Sequence, residues 1–129
     1  MDSVVNDLRR LLEAFNRDDF DTLAGLVDPE VVYRIPGRMS FAGEHRGLLA
    51  VAGALRQLRT LSGGSITAEP EVVLSDGELV MFTARVRAVH RGRALDVVNA
   101  YAYRFTAGRL TEASLFPGDL HAIEAFFAA

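Results

Sequence analysis

The chain has no cysteine and only four prolines in 129 residues. Without cysteine there is no disulfide, no thiolate nucleophile and no zinc–thiolate site. The core must hold the fold without staples, and one domain of this length, residues 1–129, buries about two-thirds of its unfolded surface. A basic excess is also missing. Fourteen Lys and Arg stand against seventeen Asp and Glu, for a net charge of -3. That balance disfavours nucleic acid, whose phosphates call for positive charge. No apolar run reaches the length of a membrane span. The segment Met1-Asp2-Ser3-Val4-Val5-Asn6-Asp7 has neither a basic region nor a continuous apolar stretch, so it does not read as a signal peptide. A cytoplasmic protein with no membrane partner is expected. The histidines His45, His90 and His121 are scattered, with no paired carboxylates at metal spacing, so no metal site is expected. No phosphate loop or dinucleotide fingerprint is present, and no cofactor is expected.

What is present is an alternation. In Leu95-Asp96-Val97-Val98-Asn99-Ala100-Tyr101-Ala102-Tyr103-Arg104-Phe105, a strand places Leu95, Val97, Asn99, Tyr101, Tyr103 and Phe105 on one face. That face is apolar and dotted with hydrogen-bonding groups. It suits the wall of a pocket for a hydrophobic small molecule carrying a few oxygens. The opposite face, with Val98, Ala100 and Ala102, is small and semi-apolar. It predicts a second covering layer, and a homodimer through the sheet is expected.

Around this strand the periodicity predicts a helix from Ser3 to Asn16, capped by Ser3. A short helix is predicted from Phe20 to Leu26, capped by Asp19 or Asp18 and broken by Asp28-Pro29-Glu30. A strand is predicted over Val31 to Ile35, an irregular loop over Arg38 to Gly47, and a helix from Leu48 to Leu61. Three long strands follow, over Ile66–Leu74, Leu79–His90 and Ala94–Thr106, the first marked by Pro70 as an edge or bulged strand. A last strand, Arg109 to Phe116, leads to Asp119 and a final helix, Leu120 to Phe127. Segregated helices and an antiparallel meander make an α+β fold. The sheet is expected to curl into a cone over three to four helices, with a cavity between them.

Several residues carry candidate chemistry. Asp119 reads first as an N-cap for the last helix, and otherwise as a base, which would need Leu115 and Phe116 to supply apolar surroundings. His45, in the loop beside Arg46, reads as an exposed histidine or as a proton donor or acceptor at a rim. Tyr33, Tyr101 and Tyr103 could donate to a developing oxyanion, with Asn99 orienting it, or could be core tyrosines. Phe116 is a candidate substrate contact. Arg85 and Arg87 are expected on the outer face near Asp96 and Arg104. Glu112 could face either way.

The pattern resembles the nuclear transport factor 2-like superfamily, and within it the SnoaL-like polyketide cyclase group. The resemblance spans the chain. It is carried by Leu12-Glu13-Ala14-Phe15-Asn16-Arg17-Asp18-Asp19-Phe20-Asp21-Thr22-Leu23, by Asp28-Pro29-Glu30-Val31-Val32-Tyr33, by Phe41-Ala42-Gly43-Glu44-His45-Arg46-Gly47, and by Tyr103-Arg104-Phe105-Thr106-Ala107-Gly108-Arg109-Leu110 with Asp119 after it. It implies a cone-shaped domain and leaves the chemistry open, because the superfamily hosts isomerases, cyclases, hydrolases and binders. The base of ketosteroid isomerases falls here at Ile35 and their oxyanion donors at Leu11 and near Tyr101, so two of three groups are missing. In limonene-type epoxide hydrolases, Tyr33 and Arg85 match, while the acids fall at Arg87 and near Phe116. The base of SnoaL-group cyclases has its nearest match in Asp119. The resemblance thus implies a cofactor-independent cyclase or isomerase acting on a hydrophobic, oxygenated, polyketide-like substrate. The alternative is a non-catalytic ligand-binding or dimerisation module of the same fold.

Overall fold

A computed structural model describes residues 3–128, with the side chain of Ser3 left out of the description, so the expected Ser3 cap lies outside the described residues. Among the described residues ten elements follow one another: α1 (Ser3–Asn16), α2 (Phe20–Gly25), β1 (Val27–Ile35), β2 (Gly43–Arg46), α3 (Leu48–Leu61), β3 (Thr67–Asp76), β4 (Leu79–His90), β5 (Arg93–Thr106), β6 (Arg109–Phe116) and α4 (Leu120–Phe127). The six strands form one sheet in the order β2-β1-β6-β5-β4-β3. Every pairing is antiparallel except β1 with β6.

The meander is local in origin. Arg91 (φ 52) and Gly92 (φ 77) turn β4 into β5 with two successive left-handed residues, the geometry whose twist matches a tight hairpin. Along β4, Val80, Phe82, Ala84, Val86 and Ala88 are buried. Their cross-strand neighbours on β5 are Tyr103, Tyr101, Asn99, Val97 and Leu95, so one sheet face meets the helices. The helices close over it with Leu8, Leu11 and Leu12 of α1, Val51 and Ala54 of α3, and Ile123 and Phe126 of α4. The edge strand β3 is strapped to the end of α1 by Asn16, whose side-chain amide donates to the Ala68 carbonyl (2.9 Å) and accepts from the Ala68 amide (2.9 Å). Arg59 of α3 is buried beneath this corner. Its guanidinium lies 4.8 Å over the Phe15 ring and donates to the carbonyls of Phe15 and Gly64.

The outer face carries apolar rows flanked by ion pairs. Leu74, Met81 and Ala102 lie side by side on neighbouring strands, and Val72, Thr83, Ala100 and Phe116 form the next row. On one flank Arg85 and Arg87 meet Asp96 (2.9 and 3.6 Å). On the other, Arg34 bridges Glu44 and Glu112 (3.0 and 2.9 Å), and Arg104 faces Glu78 (3.7 Å). Glu112 therefore takes the outer of its two possible faces.

Several boundaries depart from the sequence expectation; β3 runs on to Asp76 and β5 begins at Arg93. Asp28-Pro29-Glu30 does not separate a helix from a strand but lies inside β1, where the register with β6 jumps between Val27 and Val32. An irregularity tolerates the missing proline N–H, and Asp28 supports it by accepting from the Glu30 amide (2.8 Å). The region Arg38 to Gly47 is not wholly irregular, because Gly43–Arg46 pairs with β1 as β2. The short helix α2 ends at Gly25, and Leu26 is its C-cap. Pro70 does sit at a register shift, on the sheet edge.

Candidate functional site

The sheet and helices enclose a cavity with about 940 Å³ of atom-free space including its opening, over about 100 Å³ of which the centre of a water molecule could range. Its walls come from α1 (Leu11, Leu12, Phe15), α3 (Val51, Leu55, Leu58), α4 (Ile123, Phe127) and the inner face of the sheet. Among the described residues that line it there is no Asp, Glu, His or Arg. The polar side chains in the wall are Tyr33, Asn99, Tyr101 and Tyr103. The chain also has no lysine, so a lysine Schiff base is not available.

These four groups form two clusters. The Tyr33 and Tyr103 hydroxyls hydrogen-bond to each other, and either can be the donor. They arrive from β1 and β5, which the intervening β6 separates, and their rings meet edge to face at 5.7 Å. Asn99 and Tyr101 are two residues apart on β5 and so share its inner face. The Asn99 amide nitrogen donates to the Tyr101 hydroxyl (3.3 Å), and its oxygen accepts from the Gly118 amide (3.2 Å). Phe82 on β4 stacks on Tyr101 (4.7 Å, 11° between planes) and meets Tyr103 edge-on (5.0 Å). The aromatic rings therefore hold one another in place, so the hydroxyls are preorganised.

Burial sets the protonation of the phenols. Desolvation pushes Tyr33 well above its ordinary value, repulsion from Tyr101 adds to the rise, and the hydrogen bond with Tyr103 opposes it. Tyr103 is raised chiefly by burial and further by Tyr33 and Tyr101. Tyr101 is raised by burial against the opposing Asn99 hydrogen bond. All three are neutral hydroxyls at physiological pH, able to donate hydrogen bonds.

The structure brings Tyr33, Asn99, Tyr101 and Tyr103 together; the alternation of β5 anticipates the shared face of the last three, and Tyr33 joins them from β1. The other three candidates lie elsewhere. Asp119 is exposed and caps α4, accepting from the Ala122 amide (3.0 Å). His45 sits on β2 with its Nε2 2.7 Å from the Phe41 carbonyl. Phe116 is 52% exposed on the outer face, beside Ala100, and Leu115 takes the inward place next to it. Sequence reasoning did not find Met39, Phe41, Ile123 and Phe127 as cavity wall. The helical spacing of Ile123 and Phe127 was the available signal. The role of Gly118 had none beyond the Pro-Gly pair itself. Among the described residues, no three His, Asp or Glu side chains gather where a metal ion could bind. Nor, among the described residues, is any helix long and apolar enough to cross a membrane.

Comparison with known proteins agrees with this architecture. The model of the SnoaL-like domain matches residues 8–113. An uncharacterised protein of Mycobacterium tuberculosis is 33% identical over 129 residues, covering 98% of both chains. Among solved structures, Bal32a from a soil-derived mobile gene cassette superposes with a TM-score of 0.92 at 30% identity, covering 98% of each chain. A nuclear transport factor 2-like protein of unknown function from Burkholderia pseudomallei superposes with a TM-score of 0.86 at 20% identity, covering 100% of each chain.

Proposed function

We propose that this protein, which belongs to the SnoaL-like domain family, binds a hydrophobic, oxygen-bearing small molecule in its cavity and promotes that molecule's cyclisation or isomerisation without a cofactor. The observation that carries the reading is the composition of the wall, an apolar enclosure whose polar side chains are three neutral phenols and one amide. Hydroxyls fixed in a water-poor site stabilise negative charge growing on a carbonyl oxygen. The rest of the wall folds a flexible chain near its reactive conformer, a contribution that needs no strong base. A polyketide-like chain, with carbonyls along a carbon backbone, fits both functions.

The test is incubation with a synthetic linear polyketone thioester, with products followed by chromatography and mass spectrometry. The expected result is ring closure faster than in buffer. Asp119→Asn keeps this rate within about twofold, because asparagine caps a helix as well as aspartate does and the carboxylate lies outside the wall. A loss of turnover in this variant without a loss of stability would instead make Asp119 the base. Tight binding of the thioester with no rate above buffer would support a ligand carrier of the same fold.

The outer face belongs to the same reading, as the seat of a second copy. Met81, Val98 and Phe116 are exposed there at 48%, 38% and 52% around the small Ala100 and Ala102, and the flanking ion pairs offer both signs of charge for a two-fold match. Light scattering is expected to give twice the chain mass, and Phe116→Asp to give the single chain mass with unchanged secondary structure.

A further inference from the structure

We infer that Asn99 is a positioning residue that fixes Tyr101 as a hydrogen-bond donor to the guest, so that the wall at Tyr101 takes a carbonyl, quinone or ether oxygen and rejects a hydroxyl group. The inference rests on the ligand-binding reading above and adds a polarity to it.

The starting point is the backbone N–H of Gly118, which can only donate. It points at the Asn99 side chain from 3.2 Å. The atom it faces must be an acceptor, so it is the amide oxygen, and oxygen and nitrogen cannot be interchanged there. The amide nitrogen then faces the Tyr101 hydroxyl at 3.3 Å. That nitrogen also can only donate. The Tyr101 oxygen therefore accepts from Asn99, and its own proton turns away from Asn99. The ring cannot swing to another partner, because it is stacked on Phe82 and abuts Tyr103 at 5.8 Å. Asn99 is only 4% exposed, and both side chains line the cavity. The free Tyr101 proton is left for whatever the cavity holds.

The other polar cluster behaves differently. Tyr33 and Tyr103 share a bond that either can donate, so that pair reverses to suit its guest. The wall thus has one adaptable hydroxyl pair and one hydroxyl of fixed polarity. A ketone oxygen beside Tyr101 accepts its proton. An alcohol there buries its own proton without a partner, the costly case for a hydrogen-bonding group. The polarity is imposed from outside the cavity, by the Pro117-Gly118 connection between β6 and α4. Gly118 can sit close to β5 because it lacks a Cβ, which would lie 2.0 Å from the Val98 carbonyl oxygen.

Three probes of one shape test this: 1-tetralone, 1-tetralol and tetralin, titrated calorimetrically into the wild-type protein, Asn99→Leu and Tyr101→Phe. The wild type is expected to bind the ketone about tenfold more tightly than the alcohol. In Asn99→Leu the Tyr101 hydroxyl is free to turn, and the preference falls to about unity. In Tyr101→Phe the ketone loses about tenfold while the alcohol changes little. Tetralin affinity stays the same in all three proteins, whereas a merely structural role for Asn99 would lower all three ligands together. If Asn99→Leu does not fold, Tyr101→Phe decides the matter. Equal binding of ketone and alcohol by the wild type, or a preference that survives both substitutions, overturns the inference and leaves the ligand-binding reading standing. Failure of the wild type to bind any of the three probes overturns both.

Discussion

Replacing Gly118 by alanine is expected to destabilise the protein by about 3 kcal/mol, read as a lower urea midpoint with an unchanged slope. The new Cβ would lie 2.0 Å from the Val98 carbonyl oxygen and 3.2 Å from its carbonyl carbon. Both are backbone atoms, so no side-chain rotation relieves the overlap. Val98 pairs with Arg85 of β4 and stands two residues before the ladder with β6 begins at Ala100, so the strand cannot retreat without straining those ladders. The connection would have to lift away instead, taking the Gly118 amide off Asn99 and leaving a buried amide oxygen without its donor. Gly53 is the control. It lies in the interior of α3, is exposed, and an added Cβ there meets nothing within 4 Å. Gly53→Ala should therefore stabilise by up to about 1 kcal/mol through helix propensity. Similar midpoints for the two variants would mean that the β6–α4 connection does not approach β5 as closely as described.

Gly118 also shows where the sequence stops being legible. The long elements were readable because their signals are local. The helical spacing of Leu8, Leu11, Leu12 and Phe15, and the period-two run from Leu95 to Phe105, each state a buried face without reference to the rest of the chain. The inner placement of Asn99, Tyr101 and Tyr103 follows from that run. What was not legible depends on partners distant in sequence. β1 begins at Val27 because it lies parallel to β6, pairing Val27 with Leu110, a partner that no local pattern announces. The direction of Phe116 was hidden by a slip of register. Leu110 and Ala113 are both buried although three residues apart, an odd separation that simple alternation forbids, and the β5–β6 register shifts between Arg104 and Phe105. Beyond that bulge the phase of β6 reverses, so Leu115 points inward and Phe116 outward. An acid after Pro-Gly likewise reads as a cap or as a base from sequence alone. The Asp119–Ala122 bond supplies the cap, and only the direction of the connection places the carboxylate outside the wall.

Removing the hydroxyls of both Tyr33 and Tyr103 is expected to lower turnover of a carbonyl-bearing substrate by about a hundredfold, the usual cost of losing an oxyanion donor. Stability should behave in the opposite, non-additive way. Each hydroxyl partners the other in a buried apolar wall. Tyr33→Phe or Tyr103→Phe alone leaves the remaining hydroxyl unpaired, a loss of about 1–2 kcal/mol. The double variant removes both groups and should return close to the wild-type midpoint, with Phe82 and Phe105 still packing against the ring at position 103. A cycle with coupling near zero would mean that the two hydroxyls do not depend on each other. The pH dependence supplies an independent check. Burial raises both phenols above the ordinary value of 10.0, so the unfolded chain ionises first as pH rises. The stability these groups carry is therefore complete below pH 10 and falls as pH climbs through their raised folded-state values. The double phenylalanine variant should lose that share of the alkaline decline and keep the share that Tyr101 carries. Substrate binding should stay level from about pH 6 to about pH 9, because no group in the wall titrates there. An inflection within that range would mean that a group outside this wall reaches the reacting atoms.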